Sequence, residues 1–162
     1  MKNNAPIDVD LTRAPSLWRR LAAILYDSLL VTGLLFLAMA LAVVGLGSVQ
    51  GWDQFNPAEL RHNPFYIAYL LSVPLVFFVG FWRRGGQTLG MRSWHIRVVT
   101  SDGSPVFLTV ALLRFLTALL SWAALGLGFL WVLVDREQLA WHDRLSGTRL
   151  VMVRKTSSRS GR

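Results

Sequence analysis

Cysteine is absent from the 162 residues, which excludes disulfides, thiol catalysis and Cys-based zinc or iron–sulfur sites. Charge is scarce: 16% of residues are charged and 53% hydrophobic, whereas a soluble domain carries about a quarter charged. Acidic residues are scarcer still, nine against 17 lysines and arginines, for a net charge of +8. In a soluble protein that excess would point to nucleic acid. In a chain this apolar it fits the gathering of basic residues on the cytoplasmic side of a membrane, so no nucleic-acid partner is expected. Catalytic signatures are missing too. There is no nucleophile elbow, His-Glu-x-x-His pair or P-loop. His95 and His142 with Asp143 are the nearest approach to an acid–base set, and no enzyme is expected. His142 and Asp143 are adjacent and do not build a metal site alone, so neither metal nor cofactor is expected. A cleavable signal peptide is not expected either, because Asp8 and Asp10 interrupt a basic leader and the apolar run behind them is too long.

What is present is apolar sequence in long runs. Leu21 to Leu46 holds one charge, Asp27, and exceeds the ~20 residues that cross a hydrocarbon core of roughly 30 Å. Phe65 to Trp82 is uncharged, with Pro74 near its centre, where a missing N–H favours a bend. Val106 to Val134 holds only Arg114, and is long for one crossing and short for two. Trp18, Trp82 and Trp141 fall near the ends of these runs, where interface anchoring is the expected role.

The basic residues choose among the folds available to the third segment. With the N-terminus inside, Arg61 lies outside and the Arg83 to Arg97 loop returns inside. A single third crossing would export Arg136, Arg144, Arg149, Arg154, Lys155, Arg159 and Arg162, against the positive-inside bias. A short helical hairpin, broken between Ser121 and Gly128 where Gly126 and Gly128 weaken the helix, keeps them cytoplasmic. Two β-branched stretches, 96–100 and 148–153, need each other because a lone strand is unstable. Their pairing requires both to be on one side of the membrane. The expectation is an all-α integral membrane protein with two long transmembrane helices, a third apolar segment folded as a hairpin, and a two-stranded cytoplasmic ribbon. A cytoplasmic segment 1–16 precedes a membrane domain 17–153, with spans near 21–46, 65–82 and 106–134, and a basic, disordered tail 154–162 follows.

Few residues in this setting carry chemistry. Arg20, Ala23 and Asp27 share one helix face, the charges roughly 10 Å apart along the axis and the alanine permitting close approach of another helix. An aspartate at that depth costs about 2.5 to 3.5 kcal/mol on insertion scales and must face protein or water. It either handles a cation or proton or fixes helix packing by pairing with a basic residue such as Arg114. For Arg114 two roles stand open, snorkelling to the interface or pairing with Asp27 or Asp143. The stretch from Trp141 through His142 and Asp143 to Thr148 combines imidazole, carboxylate and a glycine just before the second strand.

In order and spacing, the Arg20, Ala23, Asp27 stripe, the run Gly86-Gln87-Thr88-Leu89-Gly90-Met91-Arg92, Arg114-Phe115, and the His142-Asp143 to Gly147-Thr148 ending resemble the RDD family of membrane proteins. The resemblance covers roughly Leu17 to Val153. It departs from the family's pattern at Met91, where a basic residue is usual and Arg92 follows. It implies that the family's arginine is Arg20 and its aspartates Asp27 and Asp143, with Ala23, Gln87, Thr88, Gly90, Arg114 and His142 in support. It also implies a membrane-embedded protein for which transport of an unidentified ligand has been suggested. Two functions follow as expectations. One is transport of an ion or small ligand through a polar site around Asp27, in an oligomer for which Gly33, Ala38 and Ala42 offer small contact residues. The other is a non-enzymatic interaction or assembly module, whose Arg and Asp residues lock the helices and whose basic cytoplasmic face meets anionic lipid or a membrane-protein partner. An inner-membrane location with both termini cytoplasmic completes the reading.

Overall fold

A run rich in leucine, alanine and valine with no proline forms one long helix, α1 (Leu17–Gln50), of 34 residues. At ~1.5 Å per residue it is near 50 Å long, so it extends past a ~30 Å hydrocarbon core. The computed structural model describes residues 9–10 and 13–153; the tail 154–162 lies outside them. A 3-10 turn at Pro57–His62 leads to α2 (Pro64–Gly85). The side-chain oxygen of Asn63 accepts from the N–H groups of Phe65 and Tyr66 at 2.9 and 3.3 Å, and Pro64 occupies the first turn, where its missing donor is harmless. Gly86 ends α2 in the left-handed region, at φ 67°. Pro74 lies inside α2 without ending it.

The short α3 (Leu89–Ser93) leads to a strand at Ile96–Thr100, and α4 (Leu108–Ala123) follows. The third apolar segment then breaks where the sequence predicts. Leu125 and Gly126 both take positive φ, 53° and 81°, and the axis turns by 106° into a second arm, Leu127–Leu133. This arm begins as α5 (Leu127–Leu130) and tightens into a 3-10 turn. Gly128 seats it: a Cβ there would come within 2.2 Å of the Ser121 Oγ. The two arms are unequal, so the chain enters along α4 and returns through a short arm, a loop and α6 (Trp141–Leu145). By length and composition α1 and α2 are able to cross a membrane, and a third crossing exists only if the bent pair counts as one span.

The strand at Ile96–Thr100 pairs antiparallel with Thr148–Val153, Ile96 opposite Met152 and Thr100 opposite Thr148. The chain therefore leaves and re-enters the sheet at one end of the molecule. The ribbon is wider than expected. A strand at Val9–Asp10 adds to the other edge of Thr148–Val153, so in chain order β1 is Val9–Asp10, β2 Ile96–Thr100 and β3 Thr148–Val153, with sheet order β1-β3-β2. Two residues are too few to show an alternating pattern, which is why β1 was not legible.

The core lies where the sheet meets the helices. Ala23 of α1, Val79 and Trp82 of α2, Met91 of α3, Ile96 and Val98 of β2, and Ala111 of α4 form one buried cluster. Away from it the long helices turn apolar side chains outward, Leu29 being 67% and Val76 68% exposed. In water such a surface would aggregate; facing hydrocarbon it carries no penalty. Ala38 of α1 is buried, and the Tyr69 hydroxyl of α2 donates to its carbonyl at 3.3 Å. Gly33 is exposed, with nothing near it.

Candidate functional site: a buried arginine–aspartate cluster

The inward faces of α1 and α4 are polar where they approach the sheet. Arg20, Ala23 and Asp27 form the buried stripe of α1, and Ala111, Arg114, Thr117 and Ser121 that of α4. Thr117 and Ser121 donate to their own helix, to Leu113 O at 2.8 Å and Thr117 O at 3.2 Å, so their burial leaves no hydroxyl stranded. The charged members need partners from elsewhere, and find them in two separate groups.

The first group centres on Asp143, which is fully buried. It lies in the first turn of α6, where Oδ2 accepts the Ala140 N–H at 3.0 Å. Arg20 donates through Nη1 to the same oxygen at 3.0 Å. The rest of the Arg20 guanidinium goes to backbone carbonyls, Nε to Pro15 at 3.2 Å and Nη2 to Gln138 at 2.8 Å. Gln138 takes a left-handed φ of 54°, unusual for a residue with a side chain; the conformation accompanies the carbonyl's position at the guanidinium. From the other side, Nη1 of Arg114 approaches Asp143 Oδ1 to 2.6 Å. That approach is an ion contact, because the aligned hydrogen bond of Nη1 goes to the Thr148 hydroxyl. Thr148 is joined in turn to Ser146 through their hydroxyls at 2.8 Å. The Arg114 guanidinium lies 5.3 Å from the centre of the Trp82 ring, a cation–π stack. One carboxylate thus ties α1, α4, α6 and β3 together.

Arg114 does not snorkel. It is 3% exposed and takes the second of its expected partners, Asp143. Trp82 is likewise not an interface anchor, being buried beneath that guanidinium. Trp18 is exposed on α1, as an anchor would be.

The electrostatics of α6 follow from this packing. Burial alone would raise the Asp143 carboxyl, but the guanidinium of Arg114, with His142 and Arg20, reverses that and holds it at about 2. Burial, then the positive charges of Arg114 and Arg20, push the His142 imidazole down to about 3 against the pull of Asp143. His142 is therefore neutral at pH 7, and its Nε2, 3.7 Å from Asp143 Oδ1, adds no full charge to the cluster. The two arginines are what compensate Asp143. With two positive groups and one negative, this cluster carries a formal excess of one positive charge.

The second group centres on Asp27, which among the described residues takes no arginine. Its carboxylate accepts from the Thr88 hydroxyl and from the Gly90 N–H, the latter at 2.8 Å. This explains the run from Gly86 to Met91 residue by residue. Thr88 caps α3, its hydroxyl oxygen accepting the Met91 N–H at 3.2 Å while its proton goes to Asp27. Gly90 lets the two helices touch, since a Cβ there would fall 2.4 Å from the Ala23 carbonyl oxygen and 2.9 Å from Asp27 Cγ. Ala23 and Gly90 are thus the two small halves of one contact. Gln87 donates to Ile96 O at 2.7 Å, and Gly86 O accepts the Val98 N–H at 2.7 Å, which fixes the run against β2.

Of the sequence-predicted residues, Arg20, Arg114, His142 and Asp143 meet in one cluster, and Ala23, Asp27, Thr88 and Gly90 in the other, with Gln87 bonded to β2. Pro15, Gln138 and Ser146 join the first cluster without a motif in the sequence to mark them. Pro15 and Gln138 contribute backbone carbonyls, which no side-chain pattern reports. A cavity of about 740 Å³ lies between α1, α2 and α4, and Arg20, Asp27, Thr88, Arg114 and His142 all reach its wall.

No curated protein and no solved structure matches the chain. A family model described as RDD family matches residues 14–147, a range that holds both clusters and both membrane-length helices. The chain is a membrane protein of the RDD family.

Proposed function

We propose that this protein is a non-enzymatic membrane module of the plasma (inner) membrane, with both termini cytoplasmic, whose Arg20–Asp143–Arg114 cluster clamps the returning segment against the first helix. The observation that carries this reading is the contact of one fully buried carboxylate with arginines from two helices. Groups so engaged act as a lock: breaking a buried pair by removing one partner costs about 3 to 5 kcal/mol. The clamp holds the basic sheet end of the molecule in a fixed relation to the helices. That end meets anionic lipid, and the outward apolar faces of α1 and α2 meet lipid, a second copy or another membrane protein.

One observation favours a second reading, transport of an ion or small ligand past Asp27. Among the described residues Asp27 has no cationic partner, and it reaches the wall of the 740 Å³ cavity. Both its hydrogen bonds serve the α1–α3 contact, which is why the lock reading stands first. Flux of sodium and protons into proteoliposomes loaded with ion-sensitive dyes separates the two. A lock predicts no flux above empty vesicles, and Asp27→Asn altering stability alone. Flux that disappears in Asp27→Asn while the melting temperature is unchanged would replace the lock with transport.

A further inference from the structure

The clamp leaves hydrogen-bonding capacity unused, part of it on residues that line one cavity. Among the described residues, Asp143 Oδ1 and Arg149 Nε are buried without a hydrogen-bond partner away from the cavity wall, and so are three atoms of residues on it, Nε of Arg114, Nε1 of Trp82 and Nδ1 of His142. The three side chains are 3%, 8% and 6% exposed, and all three residues line the 740 Å³ cavity. A guanidinium Nε–H and an indole N–H donate and never accept. Because the guanidinium lies 5.3 Å from the Trp82 ring, these two donors are neighbours. An unfilled donor in a dry site costs about 1 to 3 kcal/mol, more when it is charged, so this wall is built for an acceptor. The excess positive charge of the two arginines over Asp143 favours an anionic one.

The rest of the cavity has the opposite character. Between α1, α2 and α4 it is lined by Ile24, Val31, Leu75, Phe78, Phe115 and Leu119. Its volume falls within the range, roughly 300 to 1,000 Å³, of sites that take small ligands. Two of these helices, α1 and α2, are long and apolar enough to cross a membrane, so the supply of apolar chains is the bilayer itself. Asp27, the acidic residue that lines the cavity among the described residues, stands two turns along α1 from Arg20, roughly 10 Å away, and its carboxylate already accepts from Thr88 and Gly90.

We propose that this cavity binds a single-chain amphiphile whose anionic head, a carboxylate or a phosphate monoester, accepts hydrogen bonds from Arg114 and Trp82 while its chain lies between α1, α2 and α4. The site does not depend on the lock having a signalling or assembly role. It requires only that the cluster be formed.

The test uses the full-length protein in phosphatidylcholine nanodiscs, with empty nanodiscs as the background for partitioning. Parinaric acid, a fluorescent single-chain carboxylate, is titrated first and then displaced. Saturable binding above background is expected, with displacement by palmitate or by hexadecyl phosphate; the stronger competitor identifies the carboxylate or the phosphate as the natural head. Hexadecanol and hexadecyltrimethylammonium are expected to compete at least tenfold more weakly. Trp82→Phe keeps the ring under Arg114 and removes one donor, and should weaken binding by about tenfold or more, the effect of one hydrogen bond to a charged group. Ala118→Phe fills the chain-binding part at a residue that is not a member of the cluster, and should abolish binding while the melting temperature holds. Absence of saturable binding, equal competition by hexadecanol, preference for the cationic amphiphile, or full affinity in folded Ala118→Phe would each overturn the proposal.

Discussion

Asp143 and Asp27 are both buried aspartates, yet they answer to different partners, and substitution separates them. Asp143→Asn leaves Arg20 and Arg114 buried and facing each other with no anion between them. A loss of about 3 to 5 kcal/mol is expected, read as a collapse of the monodisperse peak in size-exclusion chromatography or a large drop in melting temperature in mild detergent. Asp27→Asn keeps an oxygen for the Thr88 hydroxyl or the Gly90 N–H and strands no cation, so its loss should be nearer 1 kcal/mol. Equal losses in the two variants would show that Asp143 does not hold the arginines. The titration of α6 adds a pH dependence. His142 is depressed from 6.5 to about 3 in the folded protein, so the unfolded chain takes up the proton first and stability declines as pH falls below 6.5. The slope approaches about 1.4 kcal/mol per pH unit until the folded imidazole titrates. Asp143, depressed from 3.8 to about 2, contributes stability above pH 3.8 that is lost as pH falls through 2, so its window lies lower. Melting temperatures measured between pH 7 and pH 4 should fall in the wild type and flatten in His142→Gln. A wild-type curve already flat over that range would mean the imidazole is not held neutral.

At the scale of elements, the broken third segment decides the architecture. A straight continuation of α4 would carry Asp143 to the far side of the membrane, away from Arg20. The bend at Leu125 and Gly126, and the contact of Gly128 with Ser121, bring it back. Gly128→Ala places a methyl group 2.2 Å from the Ser121 Oγ, and overpacking of this kind costs about 1 to 3 kcal/mol. Chemical denaturation in detergent should show that loss, whereas Gly33→Ala, at an open position of α1, should be neutral or slightly stabilising. Matching midpoints for the two variants would argue that the return arm is not packed against α4. Sequence composition located this break, since two glycines and a serine interrupt an otherwise apolar run. It did not reveal how unequal the arms are, because their lengths depend on where α6 must stand for Asp143 to reach both arginines.

For the molecule as a whole, the consequence is sidedness. The sheet gathers β1, β2 and β3 at the end of α1 that holds Arg20, and the loop after α1 lies at the other end. A reporter enzyme fused after Val153 should be active only in its cytoplasmic form, and one inserted near Trp52 only in its exported form. An exported C-terminus combined with a cytoplasmic Arg83 to Arg97 loop would be incompatible with the pairing of β2 with β3. Charge bias and strand pairing led to this arrangement independently, one from electrostatics and the other from the hydrogen bonds an isolated strand lacks.

Local physics settled what this chain is made of. Apolar runs longer than a bilayer is thick make membrane helices, lopsided basic residues suggest their orientation, and two β-branched stretches require a common sheet. Those properties depend only on neighbours in sequence or on totals, so they can be read without coordinates. Which charge meets which was different. Asp27 and Arg114 are the two charges within the apolar runs, yet the pairing goes from Arg114 to Asp143, and Asp27 to a threonine and a glycine N–H. A guanidinium reaches only a few ångströms, and which carboxylate stands there is set by helix rotation, by the angle at Gly126 and by a glycine at position 90. The same geometry, and nothing in the order of residues, left two donors unpartnered at the wall of an apolar cavity.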